Sequence, residues 1–187
     1  MIITHQREKL INAIIYFAKH TKNCGKTKLM KLLYFLDFYH FKYKGKSVTG
    51  LEYFAWEMGP VPKDLYDELS NKEIMKPDLA KAINVVNIDN LEKIFPKKKF
   101  NDEYFTNREK KLLKDLSDIF RDAMAKDMVE VSHLKNEPWD KTLKEKGPFQ
   151  KIDYMLSIDD TEGSLSYDEA KERMEEILEV HQALGTI

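Results

Sequence analysis

Residues 26–69 read KTKLMKLLYFLDFYHFKYKGKSVTGLEYFAWEMGPVPKDLYDEL. From Lys26 onward, Leu29, Met30, Leu32, Leu33, Phe35, Leu36 and Phe38 cover more than one face of a helix. That pattern predicts a central helix packed on several sides, ending at Gly45. Leu51–Met58 is short, aromatic and bounded by Gly50 and Gly59, which predicts a strand. Pro60 and Pro62 fall where the next helix begins, since proline is tolerated in a first helical turn. That helix is expected to reach about Ser70.

Upstream, Leu10, Ile11, Ile14, Ile15, Phe17 and Ala18 fall at helical spacing, predicting a helix over residues 4–21 with Asn23-Cys24-Gly25 as its glycine stop. Downstream, the β-branched run Ala82–Ile88 is expected to pair as a strand with Glu52–Met58. Residues 95–104 form a basic loop or strand edge. Thr106 with Glu109 fits a capping box before LLKDLSDIF. MVEVSHLKNEPW predicts a short helix broken before Pro138. Gly147-Pro148 marks a turn, and IDYMLSI is extended or singly turned. A second capping box, Ser166 with Glu169, opens an amphipathic C-terminal helix carrying Ala170, Met174, Ile177 and Leu178. The fold class is mainly α: a single compact helical domain over residues 1–187. A small β-sheet or hairpin is inserted after the second helix, and the C-terminal helix, about 166–183, packs on the domain.

The 31 basic and 32 acidic residues leave a net charge of −1, so no global field draws the molecule to nucleic acid or an acidic membrane. One cysteine, Cys24, permits no intrachain disulfide and suits a reducing compartment. The start MIITHQREKL lacks the apolar core of a signal peptide, and no apolar run of bilayer length exists. A cytoplasmic protein is expected.

Gly25-Lys26-Thr27 is not a phosphate loop, because His20 stands where the motif needs its first glycine and a helix precedes it. Asp37 with His40 and Glu130 with His133 are spaced i,i+3 on helices, a spacing used in helical di-metal sites, but the further glutamates such a site takes from other helices are not evident. Surface pairing or a buried, satisfied histidine is the plainer reading, and no metal or cofactor is expected. Cys24 and Ser132 are the available nucleophiles. Ser132 adjoins His133, yet neighbours on a helix do not face each other, and no Gly-x-Ser-x-Gly elbow exists. The chain is therefore not expected to be an enzyme; an uncharacterised hydrolase is the third functional class considered. FKYKGK at Phe41–Lys46 and the Lys97–Lys99 tract mix basic and aromatic residues, as nucleic-acid surfaces do, but equally fit solvated helix ends. Trp56 and Trp139 are expected to be core anchors, each able to remove roughly 150–250 Å² from water; exposed instead, they would be interface hot spots.

Three blocks carry a family resemblance. Lys28–Tyr34 resembles the KLQKLLYY segment of the Panacea domain, with Met30 in the glutamine place. Glu52–Pro62 (EYFAWEMGPVP) resembles its xFxAWxYGPVxP segment. Val131–Asp140 (VSHLKNEPWD) resembles LTHxxxPW. The blocks fall in family order. The Panacea domain is the unit of SocA-like antitoxins and phage-associated GepA-type proteins. The resemblance implies a cytosolic protein that binds and inhibits a partner toxin; some relatives instead hand the toxin to a AAA+ protease. It implies no catalytic residues. Leu29, Leu33, Trp56, Gly59, Pro60, His133, Pro138 and Trp139 carry over as fold-defining positions. Partner contacts are expected outside the shared blocks, at Lys42, Lys44, Lys46, Lys97, Lys98 and Lys99 and on the exposed face of the Glu169–His181 helix. The alternative is a nucleic-acid-binding accessory protein of a phage or mobile element.

Overall fold

The computed structural model of the chain describes residues 5–183, apart from the side chain of His181. The expected helix start at Thr4 and any role for His181 lie outside the described residues. Helix α1 spans Gln6–His20 and α2 spans Lys26–Lys44. Every residue from Lys28 to Tyr34 is buried, because α2 is covered by α1, α5 (Asn107–Ile119) and α6 (Ala125–Ser132) together. Leu29 and Leu33 are fully buried in the main core with Ile14, Phe17 and Leu113. Two lysines inside this run need partners of their own. Lys28 Nζ donates to the carbonyls of Lys22, Arg121 and Ala123 at 2.9, 3.1 and 2.7 Å. It thereby ties the α1–α2 and α5–α6 connections together. Lys31 faces the other way, into the site described below.

Helix α2 ends as its sequence predicts: Gly45 takes φ 68° and its N–H bonds the Phe41 carbonyl. Gly25 acts differently from the expected stop. Helix α1 ends at Thr21, the left-handed residue is Asn23 (φ 51°), and Gly25 is the extended N-cap of α2. A Cβ on Gly25 would come within 3.2 Å of the Glu92 carbonyl.

Strand pairing departs from expectation. Among the described residues there are two separate two-stranded antiparallel sheets. β1 (Phe54–Trp56) turns at Glu57-Met58 and pairs with β2 (Gly59–Val61), not with the Ala82–Ile88 segment. β3 (Ile83–Ile88) pairs with β4 (Leu91–Pro96) across Asp89-Asn90, both at positive φ. Closing each hairpin locally costs less chain entropy than joining segments some thirty residues apart, and Asp-Asn accepts the left-handed turn. Pro60 therefore lies in β2, and Pro62 is the N-cap of α3 (Lys63–Ser70).

The remaining elements are α4 (Pro77–Ala82), α7 (Pro138–Lys146), a 3-10 turn at Tyr154–Ser157 and α8 (Tyr167–Ala183). Both expected capping boxes form: Thr106 with Glu109, and Ser166 with Glu169. Helix α8 seats Ala170 and Met174 near Phe41 and Leu165, while Leu178 and Val180 stay exposed. The loop after α2 is held by one buried carboxylate. Asp37 accepts from the Val48 and Thr49 amides and the Tyr53 hydroxyl, each at 2.8 Å, and from the Thr49 hydroxyl. Burial raises its pKa to about 6, with those hydrogen bonds pulling the other way. No helix among the described residues is long and apolar enough to cross a membrane.

Candidate functional site

The β1–β2 hairpin, α2, α6 and the start of α7 meet at Gly59. This glycine has φ 97°, and the point where a Cβ would sit lies 2.5 Å from Lys31 Nζ, 2.9 Å from His133 Nε2 and 2.9 Å from Ser132 Oγ. Only a residue without a side chain can bring the hairpin this close to three polar atoms. Lys31 Nζ donates to the Pro60 carbonyl at 3.0 Å, and burial lowers the ammonium pKa to about 7. The Ser132 hydroxyl donates to the Val129 carbonyl at 2.9 Å. The His133 ring lies flat on Trp139, with centroids 3.8 Å apart and planes 3° from parallel. Burial and the nearby Lys31 hold its pKa down, while the Met58 backbone favours the charged form. Trp139 Nε1 donates to the Trp56 carbonyl at 2.9 Å, which closes the ring of contacts.

Trp56, Gly59, Pro60, His133, Pro138 and Trp139 are thus brought together by the fold, although they come from segments some eighty residues apart. Trp139 is buried as expected. Trp56 is half-buried and packs edge-on against Tyr66 and the exposed Phe149. Sequence reading missed Lys31 as the polar centre of this cluster. Its signal was available: a lysine within a run that is apolar on every helical face must find a buried acceptor. The possible metal pairs do not converge. Asp37 holds the loop after α2, and His40 Nδ1 lies 2.7 Å from the Lys46 carbonyl. Burial pushes the Cys24 thiol up to about 11, so it is not a ready thiolate.

Beside this cluster runs a groove of about 410 Å³. Tyr34, Phe35 and Phe38 of α2 form one wall, Ser132 with Leu134 to Pro138 the second, and Leu156 and Ser157 of the 3-10 turn the third. Tyr39 and Leu134, each about half exposed, stand at its edge. The hydroxyl of Tyr34 is buried and has no hydrogen-bond partner among the described residues. It faces the Trp139 amide, in the first turn of α7, without closing a bond of normal geometry. At the rim, Lys42 pairs with Asp159 at 2.7 Å, and Lys141 Nζ donates to the Leu156 carbonyl at 3.1 Å.

Of the lysines expected at a partner surface, only Lys42 lines this groove. Lys44 and Lys46 are exposed at the end of α2. Lys46 borders a cavity with Gln6 and Lys9, whereas Lys98 and Lys99 border a shallow depression with Arg7 and Glu8. Lys97 lies in a third, beside β3. The basic residues therefore do not form one continuous stripe.

A sequence model of the antitoxin SocA-like, Panacea domain matches residues 29–140. The chain belongs to that family. The matched segment runs from the first buried leucine of α2 to the first turn of α7, so it contains the whole Gly59 cluster and two walls of the groove. The third wall and α8 lie outside it. No curated protein and no solved structure matches the chain.

Proposed function

We propose that this Panacea-family protein is an antitoxin that neutralises a partner toxin by binding it directly. The observation that carries this reading, beyond membership of a SocA-like antitoxin family, is the groove: an apolar concavity with a charged rim, set beside the rigid Gly59 cluster. Such a surface suits a protein interface, in which a few buried aromatic or apolar anchors carry most of the energy and rim charges set the partner. The protein acts by occupying the toxin's surface, and no catalytic step is assigned to it. The scattered basic residues give little support to the nucleic-acid reading, which needs lysines and aromatics aligned along a strand.

The test is co-expression with the product of each gene that adjoins this one. A toxin that arrests growth alone and is silenced by this protein, with the two co-purifying, supports the proposal. Transfer to a AAA+ protease would show differently, as ATP-dependent loss of the toxin that disappears in a protease-deficient host. Failure to neutralise, together with a salt-dependent affinity for DNA or RNA, would favour the accessory-protein alternative.

A further inference from the structure

We infer that the groove between α2, the α6–α7 loop and the 3-10 turn is where the toxin docks. Its occupant is an apolar segment of the toxin that carries acidic side chains. This inference rests on the proposed antitoxin function and adds the site and the chemistry of the partner.

Three independent features point to the same occupant. First, the groove is apolar where it is deep. Phe35, Phe38, Pro138 and Leu156 line it, and its open edge carries Tyr39 and Leu134, large apolar side chains left in water. A partner's aliphatic or aromatic side chain would cover both. Second, the buried Tyr34 hydroxyl has no acceptor. The Trp139 amide facing it is itself a donor, and burial with the nearby Glu137 carboxylate keeps the phenol protonated, so its proton is available to an incoming oxygen. A buried hydroxyl without a partner is costly, and a ligand oxygen relieves that cost. Third, the charge around the groove leans positive. Lys42, Lys135 and Lys141 face Glu137 and Asp159. Asp159 is already taken by Lys42, whereas Lys135 is exposed and forms no ion pair within 4 Å among the described residues. An acidic residue beside the apolar anchor satisfies this excess.

Tyr34, Ser132 and Pro138 come from the family-matched segment, whereas Leu156, Ser157 and Asp159 come from outside it.

The experiment measures binding of the co-expressed neighbouring protein by wild type, Tyr34→Phe, the pair Leu134→Ser with Lys135→Glu, and the triple charge reversal at Lys97, Lys98 and Lys99. Tyr34→Phe removes only an unsatisfied hydroxyl, so its melting temperature should equal or exceed wild type while affinity falls by about threefold to tenfold. The exposed pair should fold normally and lose at least about thirtyfold. The triple reversal should bind within about twofold. Wild-type binding with undiminished affinity in both groove variants would overturn the docking site and leave the antitoxin reading standing. No binding by wild type would overturn both, and a nucleic acid bound instead would do the same.

Discussion

The imidazole of His133 lies flat on the indole of Trp139, 3.8 Å between centroids, and the same indole donates through Nε1 to the Trp56 carbonyl at 2.9 Å. Trp139 therefore joins the α6–α7 loop to the β1–β2 hairpin by stacking on one side and a hydrogen bond on the other. Replacing it with Phe keeps a ring for His133 but strands the Trp56 carbonyl. We expect a loss of about 1–3 kcal/mol, read as a lower midpoint in urea unfolding. A midpoint equal to wild type would show that the hydrogen bond is not holding the hairpin.

Gly59 has no room for a side chain. Its φ of 97° disfavours any side chain, and a Cβ would press on Lys31 Nζ, His133 Nε2 and Ser132 Oγ. Gly59→Ala should cost about 2–4 kcal/mol, and Gly59→Val more. For a domain of this size each kcal/mol lowers Tm by about 2–4 °C. A Gly59→Ala protein that melts with wild type would contradict the packing described.

Asp37→Asn tests the loop after α2. The carboxylate accepts four hydrogen bonds from Val48, Thr49 and Tyr53, whereas an amide offers one oxygen and turns its NH₂ toward donors. The expected loss is about 3 kcal/mol, with earlier hydrogen exchange at Val48 and Thr49. Protection factors unchanged at both amides would rule out this role.

Lys31 makes stability depend on pH in a predictable direction. Its folded pKa, about 7, lies below the value for an unfolded lysine, so between these values the unfolded chain binds more protons. Stability therefore rises as pH goes from 7 to 9, by at most about 1.4 kcal/mol per pH unit from this one group. Above pH 9 the raised Cys24 and buried tyrosines oppose the trend. Lys31→Met should flatten the slope between pH 7 and 9. Parallel curves for the two proteins would show that Lys31 stays charged in the folded state.

The helices were legible because their signals are local. The two capping boxes, the Gly45 stop and the all-round apolar pattern of α2 each act within a turn or two of chain. Strand pairing was misread where β-branched composition near Ala82–Ile88 says that a strand forms but not with which neighbour. Asp89-Asn90 carried the missing hairpin signal. The shared blocks drew attention to Trp56, Gly59, His133 and Trp139, but their convergence is a property of the tertiary fold. The groove was not visible at all, since Tyr34, Leu134 and Leu156 read as ordinary apolar positions until the unpartnered hydroxyl and the exposed edge are seen together. The lysines were conspicuous in sequence for their charge, yet three-dimensional placement scatters them.

The central claim is that this protein silences a toxin by binding it. The most direct measurement is growth of cells expressing the neighbouring-gene protein with and without this chain, with the soluble complex isolated from the same cultures. The account predicts arrest without this chain, and restored growth with a co-purifying complex when it is present. Arrest that persists despite soluble, folded antitoxin, with no complex recovered, would contradict it.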